Sequence, residues 1–227
     1  MENRLARCGG WDENHGMPTR HDEAISHLKK ACPRMKAWIK RQGPCELVAE
    51  TGRSPFQSLV NAVAHQQLHA KAAATILGRF RKLFPSGRFP GPKALASVTD
   101  DDLRSVGFSR AKAAAIRDIA AQTISGVVPG SKEIRSLSDQ EIIDRLVQVR
   151  GVGKWTVEML LIFTLDRPDV WPVDDYGVRA GWRNLYGLDA LPTPKELQAL
   201  GERFRPHRSV AAWYLWRAAD AGRDSMP

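Results

Sequence analysis

Between Leu146 and Asp175 the chain reads LVQVRGVGKWTVEMLLIFTLDRPDVWPVDD. Two apolar-periodic stretches are joined by Gly151-Val152-Gly153, and an acidic pair follows whose second member stands 24 residues beyond Gly151. Ser138 and Glu141 form a capping-box pattern ahead of Ile142, Ile143, Leu146 and Val147, which share one helical face, so a helix enters the turn. Val157, Leu160, Leu161 and Leu165 recur at spacings of three and four, with Thr156 and Glu158 at or beyond the edges of that stripe. A second helix is therefore expected to begin near Gly153.

Two glycines at this joint let the backbone approach a ligand, and the first N–H groups of the second helix point outward with the positive end of its dipole behind them. An anion fits there. Lys154 adds a cation where a lysine is unfavourable for the helix dipole unless an anion offsets it.

Other helix starts are legible. Ser54-Pro55-x-Gln57 and Thr193-Pro194-x-Glu196 are capping patterns with proline at the first helical position. Phe56, Leu59, Val60 and Val63 form one stripe, Ala72, Ile76, Phe80 and Leu83 another, and Ala111, Ala114, Ala115, Ile116 and Ile119 a third. Val106-Gly107-Phe108-Ser109 reads as a further turn opening a helix, or as an ordinary capped turn. Alternating strand patterns are nearly absent, and Pro90, Pro92, Pro129 and Gly130 mark loops. The expectation is an all-α protein.

The 227 residues carry 34 Lys and Arg against 25 Asp and Glu, a net charge of +9 with pI near 9.8, which favours polyanionic partners. No apolar run suggests a membrane span. Cys8, Cys32 and Cys45 are few, odd in number and far apart, the pattern of free thiols in a reducing compartment: cytoplasm or nucleoid in a bacterium, nucleus in a eukaryote. Residues 1–21 lack periodicity and a secretory apolar stretch, and read as a flexible tail.

Some chemistry-bearing residues have rival readings. His65 and His69 share the spacing of a helical zinc-protease motif, but glutamine stands where that chemistry needs a glutamate base. Trp155, Trp213, Tyr214 and Trp216 are aromatic enough for a stacking cleft, although aromatics at helical spacing more often pack a core. Of the acidic pair, Asp174 is placed to cap the helix beginning at Tyr176.

The hairpin, the aspartate after it, and the run SPFQSLVNAVAHQQL from Ser54 to Leu68 together resemble the helix-hairpin-helix superfamily of DNA glycosylases, most closely its AlkA-type 3-methyladenine DNA glycosylase II branch. The resemblance extends from about residue 22 to Arg217, through VGFSRAKA from Val106 and RSVAAWYLW from Arg208. It implies a helix-hairpin-helix glycosylase fold of two helical subdomains flanking an active-site cleft, roughly 67–165 and 22–66 plus 166–227, in the compact form without an N-terminal β domain.

By the same resemblance Asp175 is the catalytic carboxylate, because the family aspartate stands four residues before a basic position, here Arg179. Gln67 is the side chain that enters the minor groove, a surface-turn residue being its rival, and Gly151, Gly153, Lys154 and Thr156 contact DNA. Trp155 and Trp216 line the base pocket, their faces suited to a base made cationic by alkylation, while Trp213 and Tyr214 are left to packing or rim.

In strand-cutting relatives a nucleophilic lysine immediately precedes the motif threonine; Trp155 holds that position here, which implies a monofunctional enzyme without lyase activity. Backbone carbonyls of Val147, Val149 and Val152 correspond to those that hold a structural Na+ or K+ in related hairpins, and Arg150 stands where the family often has proline. No other cofactor is expected, and no cysteine follows Cys45 to hold the iron-sulfur cluster of the endonuclease III branch. The expected partner is double-stranded DNA with alkylated bases, acted on by a monomer that flips out the base. A glycosylase for another damaged or mismatched base, and a non-catalytic helix-hairpin-helix DNA-binding protein, remain alternatives.

Overall fold

The computed structural model describes residues 20–223, and among these every regular element is helical. In chain order they are α1 (Asp22–Ala31), α2 (Pro33–Gln42), α3 (Pro55–His65), α4 (Ala70–Lys82), α5 (Pro92–Ala96), α6 (Asp100–Ser105), α7 (Arg110–Ile124), α8 (Glu133–Ser136), α9 (Asp139–Leu146), α10 (Lys154–Phe163), α11 (Tyr176–Tyr186), α12 (Pro194–Gly201) and α13 (Arg208–Arg223). A 3-10 turn, Glu202–Phe204, follows α12.

Local chemistry sets many of these boundaries. The capping boxes of Ser138 with Glu141 and Thr193 with Glu196 are fully formed, and a third, Thr99 with Asp102, starts α6. Ser54 and Ser109 cap α3 and α7 through their hydroxyls. Pro92 opens α5 and so belongs to a helix, not to the loop expected there.

The helices pack in two groups. In one, α7 lies against α3, α5 and α6, while α3 also packs on α4 and α10, and α9 on α10. Phe80 is its aromatic centre, edge-on to Phe84, Phe89 and Phe108 at 5.4–5.7 Å. In the other, α11 packs on α13, and α1 and α2 close over them. Its centre is Trp182, stacked on Tyr186 at 4.4 Å and edge-on to Trp171 and Phe204. The partition drawn from sequence at residue 67 therefore does not follow the packing of α3. The Phe56, Leu59, Val60 and Val63 stripe is buried against α4, α7 and α10, on the far side of that boundary.

The expected tail falls outside the described residues except for its last two. Those two are anchored: Arg20 pairs with Asp166, and the buried His21 donates from Nε2 to the Leu47 carbonyl at 2.7 Å. Cys8 is also outside the described residues, while Cys32 and Cys45 are buried free thiols. Among the described residues no helix is long and apolar enough to cross a membrane.

Two features of the second group aim the segment that follows α10. Ser209, on α13, donates its hydroxyl to the Arg167 carbonyl at 2.6 Å and accepts the Val170 N–H at 3.0 Å, and the Trp171 indole N–H reaches the Leu197 carbonyl at 2.8 Å. Beyond this pinned stretch, α11 approaches α13 at Gly181, where an added Cβ would lie 1.9 Å from the Leu215 carbonyl oxygen. Only glycine permits that approach. It seats the start of α11 against Trp216, the residue after Leu215.

Candidate functional site

The hairpin runs from the end of α9 through Val147–Gly153 into α10. Gly151 has φ +77, and a Cβ there would meet the Ala115 Cβ of α7 at 2.8 Å, so both backbone conformation and close packing require glycine. Gly153 is the N-cap of α10 and brings no capping side chain, which leaves the first N–H groups of α10 available to a ligand anion. Lys154 is the first helical residue, half exposed at the same end.

The turn is braced from outside. Arg150, where a proline would carry no N–H, donates its backbone N–H to Asp118 Oδ2 on α7 at 2.8 Å. The Gln66 side chain donates to the Gly151 carbonyl at 3.0 Å, and Lys112 of α7 caps the end of α3 through the carbonyls of Ala64 (2.9 Å) and Gln66 (2.7 Å). Gln67, next in sequence, is exposed with φ +55, an uncommon conformation for a non-glycine residue. The Gln67 turn and the hairpin are thus fastened to each other and to α7. A cavity of about 550 Å³ opens beside them, lined by His65, Gln67, Lys112, Trp155 and Met159 among others. His65 is engaged with the Asn61 carbonyl, and among the described residues no group of three His, Cys, Asp or Glu is placed to hold a metal.

Asp175 is buried, 8% exposed, and accepts three hydrogen bonds. Oδ1 receives the Val178 N–H at 2.7 Å and the Trp216 indole N–H at 2.8 Å, and Oδ2 receives the Trp155 indole N–H at 2.7 Å. The cap of α11 is therefore Asp175, not Asp174, which is exposed: capping requires the residue directly before the first helical one, and α11 begins at Tyr176. Trp155 and Trp216 reach the site, but as hydrogen-bond donors to the carboxylate as well as rings. Trp216 is stacked on Phe163 (5.6 Å, 26°), while Trp155 is 44% exposed. Trp213 and Tyr214 are buried in packing, and Arg179 is turned away, its Nε donating to the Pro192 carbonyl at 2.9 Å.

Thr156 and Glu158 depart from their expected places at the stripe's edge. Both are 3% exposed, because α3 and α9 pack on α10 and the Asp174–Asp175 segment lies close to it, covering faces that its own periodicity leaves open. The Thr156 side chain is therefore out of reach of DNA, and only its backbone N–H, in the first turn of α10, remains for an anion. Burial, with Asp174 and Asp175 nearby, pushes the Glu158 carboxyl up to about 7 even though Lys154 pulls the other way. Phe163, stacked on Trp216, also belongs to the site: Trp155, Met159 and Phe163 follow one another at four-residue spacing on α10, a signal present in the sequence.

Residues 60–206 match the family described as HhH-GPD superfamily base excision DNA repair proteins. The chain belongs to the HhH-GPD superfamily. It is 44% identical over 175 residues to DNA-3-methyladenine glycosylase 1 of Schizosaccharomyces pombe, covering 77% of each chain. It is 30% identical over 225 residues to the putative DNA-3-methyladenine glycosylase YfjP of Bacillus subtilis, covering 97% of this chain and 75% of that one. Among solved structures it is similar to the Schizosaccharomyces pombe 3-methyladenine DNA glycosylase in complex with abasic DNA, with TM-score 0.80 and 40% identity, covering 86% of this chain and 95% of that one. It is also similar to a Bacillus halodurans DNA-3-methyladenine glycosidase, with TM-score 0.79 and 32% identity over 89% and 91% of the two chains. The superfamily hairpin is the turn that Asp118 and Gln66 brace.

If the Arg150 N–H bond to Asp118 fixes this turn, Asp118→Ala should cost about 1–2 kcal/mol of stability in chemical denaturation. Arg150→Pro should lose less in the Asp118→Ala background than in the wild type, because the donor it removes is then already unpaired. Equal losses in both backgrounds would show that the bond contributes nothing.

Proposed function

We propose that this chain is a monofunctional DNA-3-methyladenine glycosylase of the AlkA type, hydrolysing the N-glycosidic bond of alkylated purines flipped out of double-stranded DNA, and acting as a monomer. The observation that carries this reading is the bond between Trp155 and Asp175. Trp155 is in the first turn of α10, so the carboxylate lies one side chain away from the helix N-terminus that suits a phosphate. A strand held there by its phosphate brings a neighbouring sugar toward the acid. The names of the similar proteins supply the substrate class.

Cleavage of the glycosidic bond develops positive charge on the sugar, and a carboxylate anion beside it stabilises that charge. An N-alkylated purine is already cationic and leaves without a strong general acid, so one carboxylate suffices. Asp175 can also orient the attacking water. The exposed Trp155 ring offers a π face to a cationic base, with Met159 and His65 around the adjoining cavity. Gln67 fills the space the base vacates.

The hairpin grips phosphate through the N–H groups of α10 and Lys154. The carbonyls of Val147, Val149 and Val152 would hold a structural Na+ or K+, which would add positive charge there. Val149 O already accepts the Val152 N–H at 3.0 Å and keeps a second lone pair for such an ion.

Asp175→Asn should lower release of free base from methylated DNA by about a hundredfold or more while duplex affinity is kept or improved. Asparagine retains the cap of α11, so the fold should survive. Asp174→Asn should act close to wild type; the opposite pattern would transfer the role to Asp174. Wild-type release of base also separates this reading from that of a non-catalytic DNA-binding protein.

With Trp155 where a lysine nucleophile would stand, no imine should form with the opened sugar. Borohydride should trap no protein–DNA adduct during turnover, and strands should break only after alkali. An adduct lost in Lys154→Ala would overturn the monofunctional assignment.

Exchanging Na+ or K+ for tetramethylammonium at constant ionic strength should weaken binding to every duplex alike. Unchanged affinity would remove the ion from the hairpin.

A further inference from the structure

The mechanism leaves a buried carboxyl beside the hairpin unused. Glu158 lies one turn into α10 with its side chain 5% exposed. Its Oε1 is 3.7 Å from Lys154 Nζ, and Oε2 is buried with no hydrogen-bond partner. A dry carboxylate oxygen without a donor is costly, and the half-exposed Lys154 is the cation set against it, with Asp174 and Asp175 adding like charge. The helices packed on α10 turn their charges elsewhere. On α3, His65 is bonded to the Asn61 carbonyl; on α9, Asp139 pairs with Arg167, Glu141 with Ser138, Asp144 with Gln140 and Arg145 with Glu133.

We propose that Glu158 is a positioning residue for Lys154 that couples the hairpin's hold on phosphate to proton binding. Protonated, Glu158 leaves the ammonium free to meet a DNA phosphate. Ionised, it draws Lys154 back across 3.7 Å and sets a negative charge beneath the anion site. The inference rests on the reading of the hairpin as a phosphate site.

The sign follows from linkage. A phosphate at the hairpin takes Lys154 away from Glu158 and adds negative charge near it, so the carboxyl binds its proton more tightly in the complex than in the free protein. Binding then takes up protons, and affinity is greatest below the free-protein titration and falls as pH rises through it. That titration is held near neutrality by burial and by Asp174 and Asp175. The window is therefore about pH 6 to 8.5.

The test is the dissociation constant for an undamaged duplex, measured by fluorescence anisotropy at pH 6 and pH 8.5 and several salt concentrations, for the wild type, Glu158→Gln and Lys154→Ala. Wild-type affinity should weaken about three- to tenfold between the two pH values, with a salt slope steeper by up to about one at pH 6. Glu158→Gln should match the wild type at pH 6 and hold that affinity at pH 8.5. Lys154→Ala should bind more weakly at pH 6 and lose most of the pH dependence.

If Glu158→Gln keeps the full wild-type pH dependence while Lys154→Ala is weakened, the proposal fails and the phosphate site stands. If Lys154→Ala binds like the wild type throughout, the phosphate role of Lys154 itself fails. Calorimetry of the unmodified protein at pH 7 in buffers of different ionisation enthalpy gives a readout independent of the folding of Glu158→Gln. It should show uptake of a fraction of a proton per duplex that is reduced in Lys154→Ala, and absence of uptake overturns the proposal.

Discussion

Three helices meet on one carboxylate. Trp155 comes from the first turn of α10, the Val178 N–H from the first turn of α11, and Trp216 from α13, and each spends its N–H on Asp175. These donors fix the carboxylate's position and orientation before any substrate arrives, which is what electrostatic stabilisation of a developing cation requires. The arrangement depends in turn on the close approach of α11 and α13 at Gly181, because a wider spacing would withdraw Trp216 from Oδ1. Core packing and site geometry are here the same constraint.

The hairpin shows the same dependence on its surroundings. A turn of two glycines is intrinsically loose, since glycine loses more freedom on ordering than any other residue. Gly151 is nonetheless held: Ala115 packs where its side chain would be, Gln66 bonds its carbonyl, and Asp118 holds the preceding N–H. All three partners lie on α7 or at the end of α3, and Lys112 of α7 also fastens that end. Glycine supplies the conformation and α7 the rigidity, so the backbone N–H groups of α10 are presented without the ordering cost that a free loop would add on binding.

What the sequence made legible was local. Capping boxes at Ser138 and Thr193 involve partners three residues apart, and the hairpin glycines and the aspartate after them are fixed by motif spacing. What it concealed was tertiary. The bonds of Asp175 to Trp155 and Trp216 span 20 and 41 residues, so the two tryptophans read as rings for stacking and not as N–H donors. Glu158 and Thr156 lie at the edge of their helix's apolar stripe, and periodicity within α10 carries no information about what neighbouring helices such as α3 and α9 lay over it. The exchange of cap between Asp174 and Asp175 has a simpler cause: the helix begins at Tyr176 as expected, and the N-cap is the residue directly before it, Asp175, and not the one before that.

The acidic residues one turn into α10 and just before α11 look misplaced in a chain of net charge +9. Asp174, Asp175 and Glu158 lie together near the N-terminus of α10, and each unit of negative charge there opposes the phosphate that the proposed function places at the hairpin. The three differ in exposure, which decides how much each one costs. Asp174 is exposed and screened by water and salt. Asp175 is buried, and its three N–H donors disperse its charge into dipoles. Glu158 is buried with one oxygen unpartnered, so neutralisation by a proton is the cheapest way to relieve it. On the proposed function, the one fixed negative charge used in chemistry is solvated by indole and backbone N–H groups, and the neighbouring buried acid takes up a proton near neutral pH.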